Sequence, residues 1–239
     1  MARSPRSKAK NFTSIRPVEP RNRKQAEYLE SIDNNTITFG VGPAGTGKTF
    51  LAVYQALIYL WSKKETGFRR IIITRPVIEA GEKIGFLPGD IAQKMDPFVR
   101  PIYDSLNDLI GFDETKKLLD KHVIEIAPLA FMRGRTFNDS FIILDEAQNC
   151  TYEQLKMAIT RLGQNSKCIV NGDPMQADLQ NSGLRAIIGA LATVEDIGLV
   201  EFSAREVERS LIVKNVVAAL ERYESPDVQN NKRRRNDVE

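Results

Sequence analysis

Gly42-Pro43-Ala44-Gly45-Thr46-Gly47-Lys48-Thr49 is the stretch that most restricts how this 239-residue chain can fold. It has the spacing G-x-x-x-x-G-K-[ST]. Thr36-Ile37-Thr38-Phe39-Gly40-Val41 before it reads as a short buried strand, and Phe50-Leu51-Ala52-Val53-Tyr54-Gln55-Ala56-Leu57 after it reads as a helix. A strand that turns through glycines into a helix start aims successive N–H groups, and the positive end of the helix dipole, at an anion. In that setting residues 42 to 47 cradle phosphates, Lys48 reaches the β- and γ-phosphates, and the Thr49 hydroxyl holds Mg²⁺. A nucleoside triphosphate with Mg²⁺ is therefore the expected ligand.

A second motif supports the first. Phe141-Ile142-Ile143-Leu144 is an apolar strand that ends in Asp145-Glu146. Carboxylates delivered by a buried strand into a phosphate site divide their work: Asp145 completes the Mg²⁺ shell beside Thr49, and Glu146 orients and deprotonates the attacking water. A further strand, Lys167-Cys168-Ile169-Val170, runs into Asn171-Gly172-Asp173-Pro174-Met175-Gln176. If it inserts between the other two, Asp173 and Gln176 face the γ-phosphate, and Gln176 can sense it. Upstream, Gln25 offers an amide donor and acceptor to the adenine edge, with Tyr28 one turn away to stack on the base. Arg75 ends the strand Arg70 to Thr74 on the side where ligands bind in parallel sheets. Together with Arg133, Arg135 and Thr136 of Phe131-Met132-Arg133-Gly134-Arg135-Thr136-Phe137, it is a candidate contact to nucleic acid, the flanking aromatics being available to stack on bases.

The remaining sequence sets outer bounds. With 42% hydrophobic residues the chain can bury one substantial core, and it carries a single phosphate-binding loop. Two cysteines cannot build a disulfide framework, and the lone His122 is expected in a strand over residues 122–126 as an ordinary imidazole. No apolar run is long enough to span a bilayer and the basic N-terminus has no apolar stretch behind it, so a soluble cytoplasmic protein is expected. Net charge is only +3, yet residues 1–24 hold eight Lys/Arg against Glu19 alone. Such a tail suits a polyanion or simple solvation. The expected division is a disordered basic tail over 1–21, an ATPase domain over 22–222 and a disordered charged tail over 223–239. Helices are expected at 23–32, 95–110, 113–119, 182–193 and 204–222, and a capping box at Thr151/Gln154 opens another.

These strings together resemble the PhoH family, ATPases related to the first motor domain of superfamily 1 helicases. The resemblance runs from about Gln25 to Leu220 and rests on the phosphate-binding loop, TRPVIEAGEKIGFLPGD with KMDPFVRPIYD, FMRGRTF, FIILDEAQN, and GDPMQAD with SGL. It implies an α/β fold: a single RecA-like domain with a mostly parallel sheet in the order 5-1-4-3-2 and helices on both faces. It also implies ATP hydrolysis and binding of RNA or DNA. Where family members usually carry a D-V-V-R-H-like string this chain has Glu206-Val207-Glu208-Arg209-Ser210, so only the arginine carries over. A motor domain without a second of its kind leaves its nucleotide open on one side. A homo-oligomer, most simply a hexameric ring, would close it, with Arg209 reaching the neighbour's nucleotide and Arg185 as the second choice. The first functional reading is an ATPase acting on single-stranded nucleic acid, RNA ahead of DNA. The other is a nucleotide-gated switch for a protein partner.

Overall fold

The computed structural model describes residues 15–76, 91–177, 182–207, 212–213 and 216, excepting the side chains of 63, 64 and 91–98. The segment 77–90, Arg209 and most of the expected last helix lie outside them, as do residues 1–14 and 217–239. The chain divides into residues 1–206 and 207–239. In the second unit Ile212, Val213 and Val216 are helical and exposed. The first unit holds every element below.

Helix α1 (Arg23–Asn34) starts where the Asn22 side chain accepts the Gln25 N–H, and it leads into β1 (Ile37–Val41). The phosphate-loop motif follows and opens α2 (Lys48–Trp61), then the single turn α3 (Lys63–Thr66) and β2 (Arg70–Arg75). Next come α4 (Ile91–Ile110), α5 (Phe112–Asp120), β3 (Ile124–Pro128) and β4 (Ser140–Leu144). Helix α6 (Tyr152–Ile159), β5 (Lys167–Gly172), α7 (Leu184–Leu191) and β6 (Ile197–Glu201) complete the unit. The capping box opens α6 as expected, Thr151 accepting from Gln154 N and Gln154 from Thr151 N.

All named strand pairs are parallel, in the order β3-β2-β4-β5-β1-β6. This corrects the five-strand order 5-1-4-3-2. Among the described residues the sheet has six strands, because β3 adds an outer strand beyond β2 and shifts every later number. Strand β5 does insert between β1 and β4, the condition set for Asp173 and Gln176 to face a phosphate. His122 is corrected too: it sits at φ 53 in an exposed turn, and the strand begins at Ile124. Ile15 and Val18, within the expected disordered tail, pack against the core, and Arg16 N–H donates to Leu109 O at 2.8 Å.

A parallel strand covered on both faces must be apolar on both. That is why Arg70-Ile71-Ile72-Ile73-Thr74-Arg75 and Ser140-Phe141-Ile142-Ile143-Leu144 show runs instead of alternation. Ile71, Ile73, Phe141, Ile143 and Ile169 enter one core with α1, α2, α4 and α5, while Ile72, Ile142, Leu144, Cys168 and Val170 enter the other with α6 and α7. Successive residues thus feed opposite cores. At the far end of α1, Lys167 Nζ donates to Ile32 O, Asp33 O and Asn35 O at 2.8, 3.0 and 2.7 Å, satisfying carbonyls that a helix end leaves open. Among the described residues, no helix is long and apolar enough to cross a membrane.

Candidate nucleotide site

The carboxyl ends of β1, β2, β4 and β5 meet at a cleft of about 350 Å³. Two glycines shape its floor. Gly42 has φ 136, and a Cβ there would lie 2.3 Å from Phe202 O, so neither the conformation nor the space admits a side chain. Gly47 has φ 86 and caps α2, turning the loop into the helix. Ala44, Gly45, Gly47, Lys48 and Thr49 line the cleft. Gly42, Pro43 and Thr46 shape the loop from behind: Thr46 is fully buried and its hydroxyl donates to Pro43 O at 3.0 Å.

Lys48 Nζ is held inside the loop, donating to Gly42 O at 2.6 Å, Pro43 O at 2.8 Å and Thr46 Oγ1 at 3.2 Å. Burial pushes its pKa down, and the charges of Asp173, Asp145 and Glu146 push it back up. The ammonium is thereby fixed where a bound phosphate would meet it.

The acidic pair lies opposite. Backbone pairing fixes Asp145, whose N–H donates to Thr74 O at 2.9 Å. Its Oδ1 accepts from Thr49 Oγ1 at 2.8 Å, and its Oδ2 accepts from Arg75 Nε at 2.9 Å and also from Arg75 Nη2. Glu146 leaves the strand at φ 57, in the left-handed region, with its side chain about half exposed. Its Oε2 accepts from Gln148 Nε2 at 2.6 Å, and Gln148 Oε1 accepts from Asp173 N–H at 3.0 Å. Gln148 is buried, so it ties Glu146 to the end of β5. Local pattern assigns Gln148 no role; its place two residues after Glu146 is the signal the sequence offers.

The other candidates divide. Gln176 lines the cleft beside Asp173. Arg75, expected as a nucleic-acid contact, also lines the cleft, with its guanidinium on Asp145. Pro101 and Ser105 form part of the wall, so α4 serves the cleft on one side and the core on the other through Ile102 and Leu106. Gln25 lies under the loop: its Oε1 accepts from Arg21 N–H at 2.8 Å and its Nε2 donates to Thr46 O at 3.0 Å, so reading a base would mean exchanging one of these bonds. Tyr28 cannot stack on a base, because it is fully buried, edge-on to Phe202 at 5.6 Å, with its hydroxyl hydrogen-bonded to Asn171 Oδ1.

Around β3, Arg133, Thr136 and Phe131 are exposed, but Phe137 is buried and unavailable to bases. Arg135 lies over the Phe137 ring at 4.6 Å, with Nη1 donating to Glu125 Oε1 and Nη2 to Glu125 Oε2 at 2.7 Å. This pairing holds the Glu125 carboxyl below its ordinary range. Arg185 is exposed, with Nη2 3.4 Å from Met175 Sδ.

The donor set suits Mg²⁺. Thr49 in the first turn of α2 and Asp145 just beyond β4 supply hard oxygens side by side, and that ion takes one or two protein oxygens and completes its shell with water and phosphate. Among the described residues, no cluster of three or more His, Cys, Asp or Glu stands ready to hold a metal by itself.

Comparison with known proteins gives a consistent result. The family described as "PhoH-like protein" matches residues 17–221. A PhoH-like protein of Mycobacterium tuberculosis is 50% identical over 87% of this chain, one of Bacillus subtilis 47% over 83%, and Protein PhoH of Escherichia coli 41% over 88%. The chain spans 59%, 62% and 60% of the lengths of these relatives. A match across most of the chain, with relatives 41 to 50% identical, places the protein in the PhoH-like family.

Proposed function

We propose that the chain binds ATP with Mg²⁺ in this cleft and hydrolyses it, and that hydrolysis is coupled to binding or remodelling of single-stranded nucleic acid. The observation that carries the ATPase reading is the 2.8 Å bond from Thr49 to Asp145 across the intervening strand β5, beside the loop that holds Lys48. Thr49 and Asp145 hold the metal, which when bound neutralises phosphate charge. Loop N–H groups and Lys48 hold the β- and γ-phosphates. Glu146, positioned by Gln148, accepts the proton of a water as its oxygen bonds to the γ-phosphorus and the bond to the β-phosphate oxygen breaks. Gln176 sits where it can report the γ-phosphate.

The nucleic-acid half rests on the exposed Arg133, Thr136 and Phe131. Single-stranded RNA or DNA should raise the ATPase rate, and an unchanged rate would reject coupling. Arg133→Ala should flatten the salt dependence of single-strand binding, lowering the log–log slope by about 0.7 for one lost phosphate contact. Arg135→Ala should act mainly through the Glu125 pair. That engagement of Arg135 favours the second reading, a nucleotide-gated switch for a protein partner, which predicts no stimulation by either nucleic acid.

An assembly completes the proposal. A homo-oligomer, most simply a hexamer in the cytoplasm, would close the cleft by bringing Arg209 of a neighbour to the γ-phosphate.

A further inference from the structure

We propose that Arg75 is a phosphate-reading residue that exchanges Asp145 for the terminal phosphate of the nucleotide when a divalent cation takes that carboxylate; this rests on the ATPase reading above. The geometry begins with strand register. Thr74 of β2 pairs with Leu144 of β4, so the next residues, Arg75 and Asp145, leave neighbouring parallel strands side by side. Their side chains are 11% and 3% exposed, a charge pair almost removed from water. Asp145 has two oxygens, one accepting from Thr49 and the other from two N–H groups of Arg75. A cation seated beside Thr49 must share that carboxylate with a guanidinium already on it, and like charges at one acceptor repel. The guanidinium has somewhere to go. Arg75 lines the same cleft as Lys48 and Gln176, and its Nη2 lies 4.0 Å from Glu146 Oε1. A planar fork on a flexible stem then meets a terminal phosphate oxygen.

Exchange has two consequences. In the exchange the cation displaces Arg75, so the wild-type cation affinity is lower than that of a variant lacking the guanidinium. The displaced arginine rewards ATP over ADP, because only ATP offers it a terminal phosphate at the γ-position. A merely structural role, in which Arg75 steadies Asp145 for the cation, gives the opposite sign: its loss would weaken cation binding.

The test uses Mn²⁺ as the probe, with free ion read by electron paramagnetic resonance in the presence of ADP or a non-hydrolysable ATP analogue. Wild-type protein is measured first. If it binds no Mn²⁺ with either nucleotide, the ATPase reading itself fails. Given wild-type binding, Arg75→Gln should bind Mn²⁺ with ADP about tenfold more tightly, the scale of a lost charge-assisted contact, and should lose most of its preference for the ATP analogue. Arg75→Lys, which keeps the charge, should stay near wild type in Mn²⁺ affinity. Unchanged or weaker Mn²⁺ binding by Arg75→Gln overturns the exchange. Should Arg75→Gln fail to fold, the Arg75 Nε–H resonance of the wild-type protein, assigned through Arg75→Lys, decides the matter. It should move when Mg²⁺ is added with ADP, and a resonance that stays in place overturns the proposal.

Discussion

Lys48→Ala is expected to abolish tight ATP binding, whereas Glu146→Gln is expected to keep binding and stop turnover. The difference follows from where each group sits. Lys48 Nζ is buried in the loop and placed by three acceptors, so its removal takes away the proposed charge-assisted contact to two phosphates and deprives each of those acceptors of one donor. A loss of about a hundredfold or more in affinity follows. Glu146 stands at the rim and touches Gln148, not the loop. Replacing it with glutamine preserves size and an amide for hydrogen bonding but removes the base, at a cost of about 10² to 10⁴ in rate. Equilibrium binding of a fluorescent ATP analogue, with single-turnover hydrolysis beside it, separates the two effects. Near-normal single-turnover hydrolysis by Glu146→Gln would sink its assignment as the base.

Arg209→Ala subunits, inactive alone, are expected to regain partial activity when mixed with inactive Lys48→Ala subunits. In a ring with shared sites some interfaces then pair an intact loop with an intact arginine. Because a transferred arginine is worth about 10³-fold or more in phosphoryl transfer, even a minority of restored interfaces would stand far above either parent. Arg185→Ala serves as the comparison, since Arg185 was the second choice and the structure places it beside Met175. Verified mixed assemblies without rescue, or a monomer at working concentration, would reject the shared site.

Much of the cleft was legible in the sequence because its residues are bound to their neighbours by local rules. A glycine-rich turn between strand and helix, and acids at the end of an apolar strand, have few other ways to fold. What the sequence hid was decided by tertiary partners. Tyr28 is one helical turn from Gln25, which suggested a shared base site, but burial of its ring against Phe202 and its hydroxyl on Asn171 sends it into the core. Arg135 looked like a second phosphate contact until β3 brought Glu125 within reach. Arg75 stood at the right end of its strand, yet only the β2–β4 register shows that its neighbour is Asp145. The outer strand β3 was recognised as a strand, while its position in the sheet could not be read from local pattern and was missed in the strand order.

Glu146 at φ 57 carries a consequence for how this protein can change over time. Glutamate gains nothing locally from that conformation, which asparagine and glycine adopt far more easily, so the fold holds the residue there at a cost of about 1 kcal/mol. Glu146→Asn should therefore raise the urea midpoint of unfolding while removing the carboxylate proposed as the base. Drift toward greater stability at this position runs directly against turnover, and a copy of the protein released from selection on hydrolysis would be expected to lose the glutamate before it loses the fold.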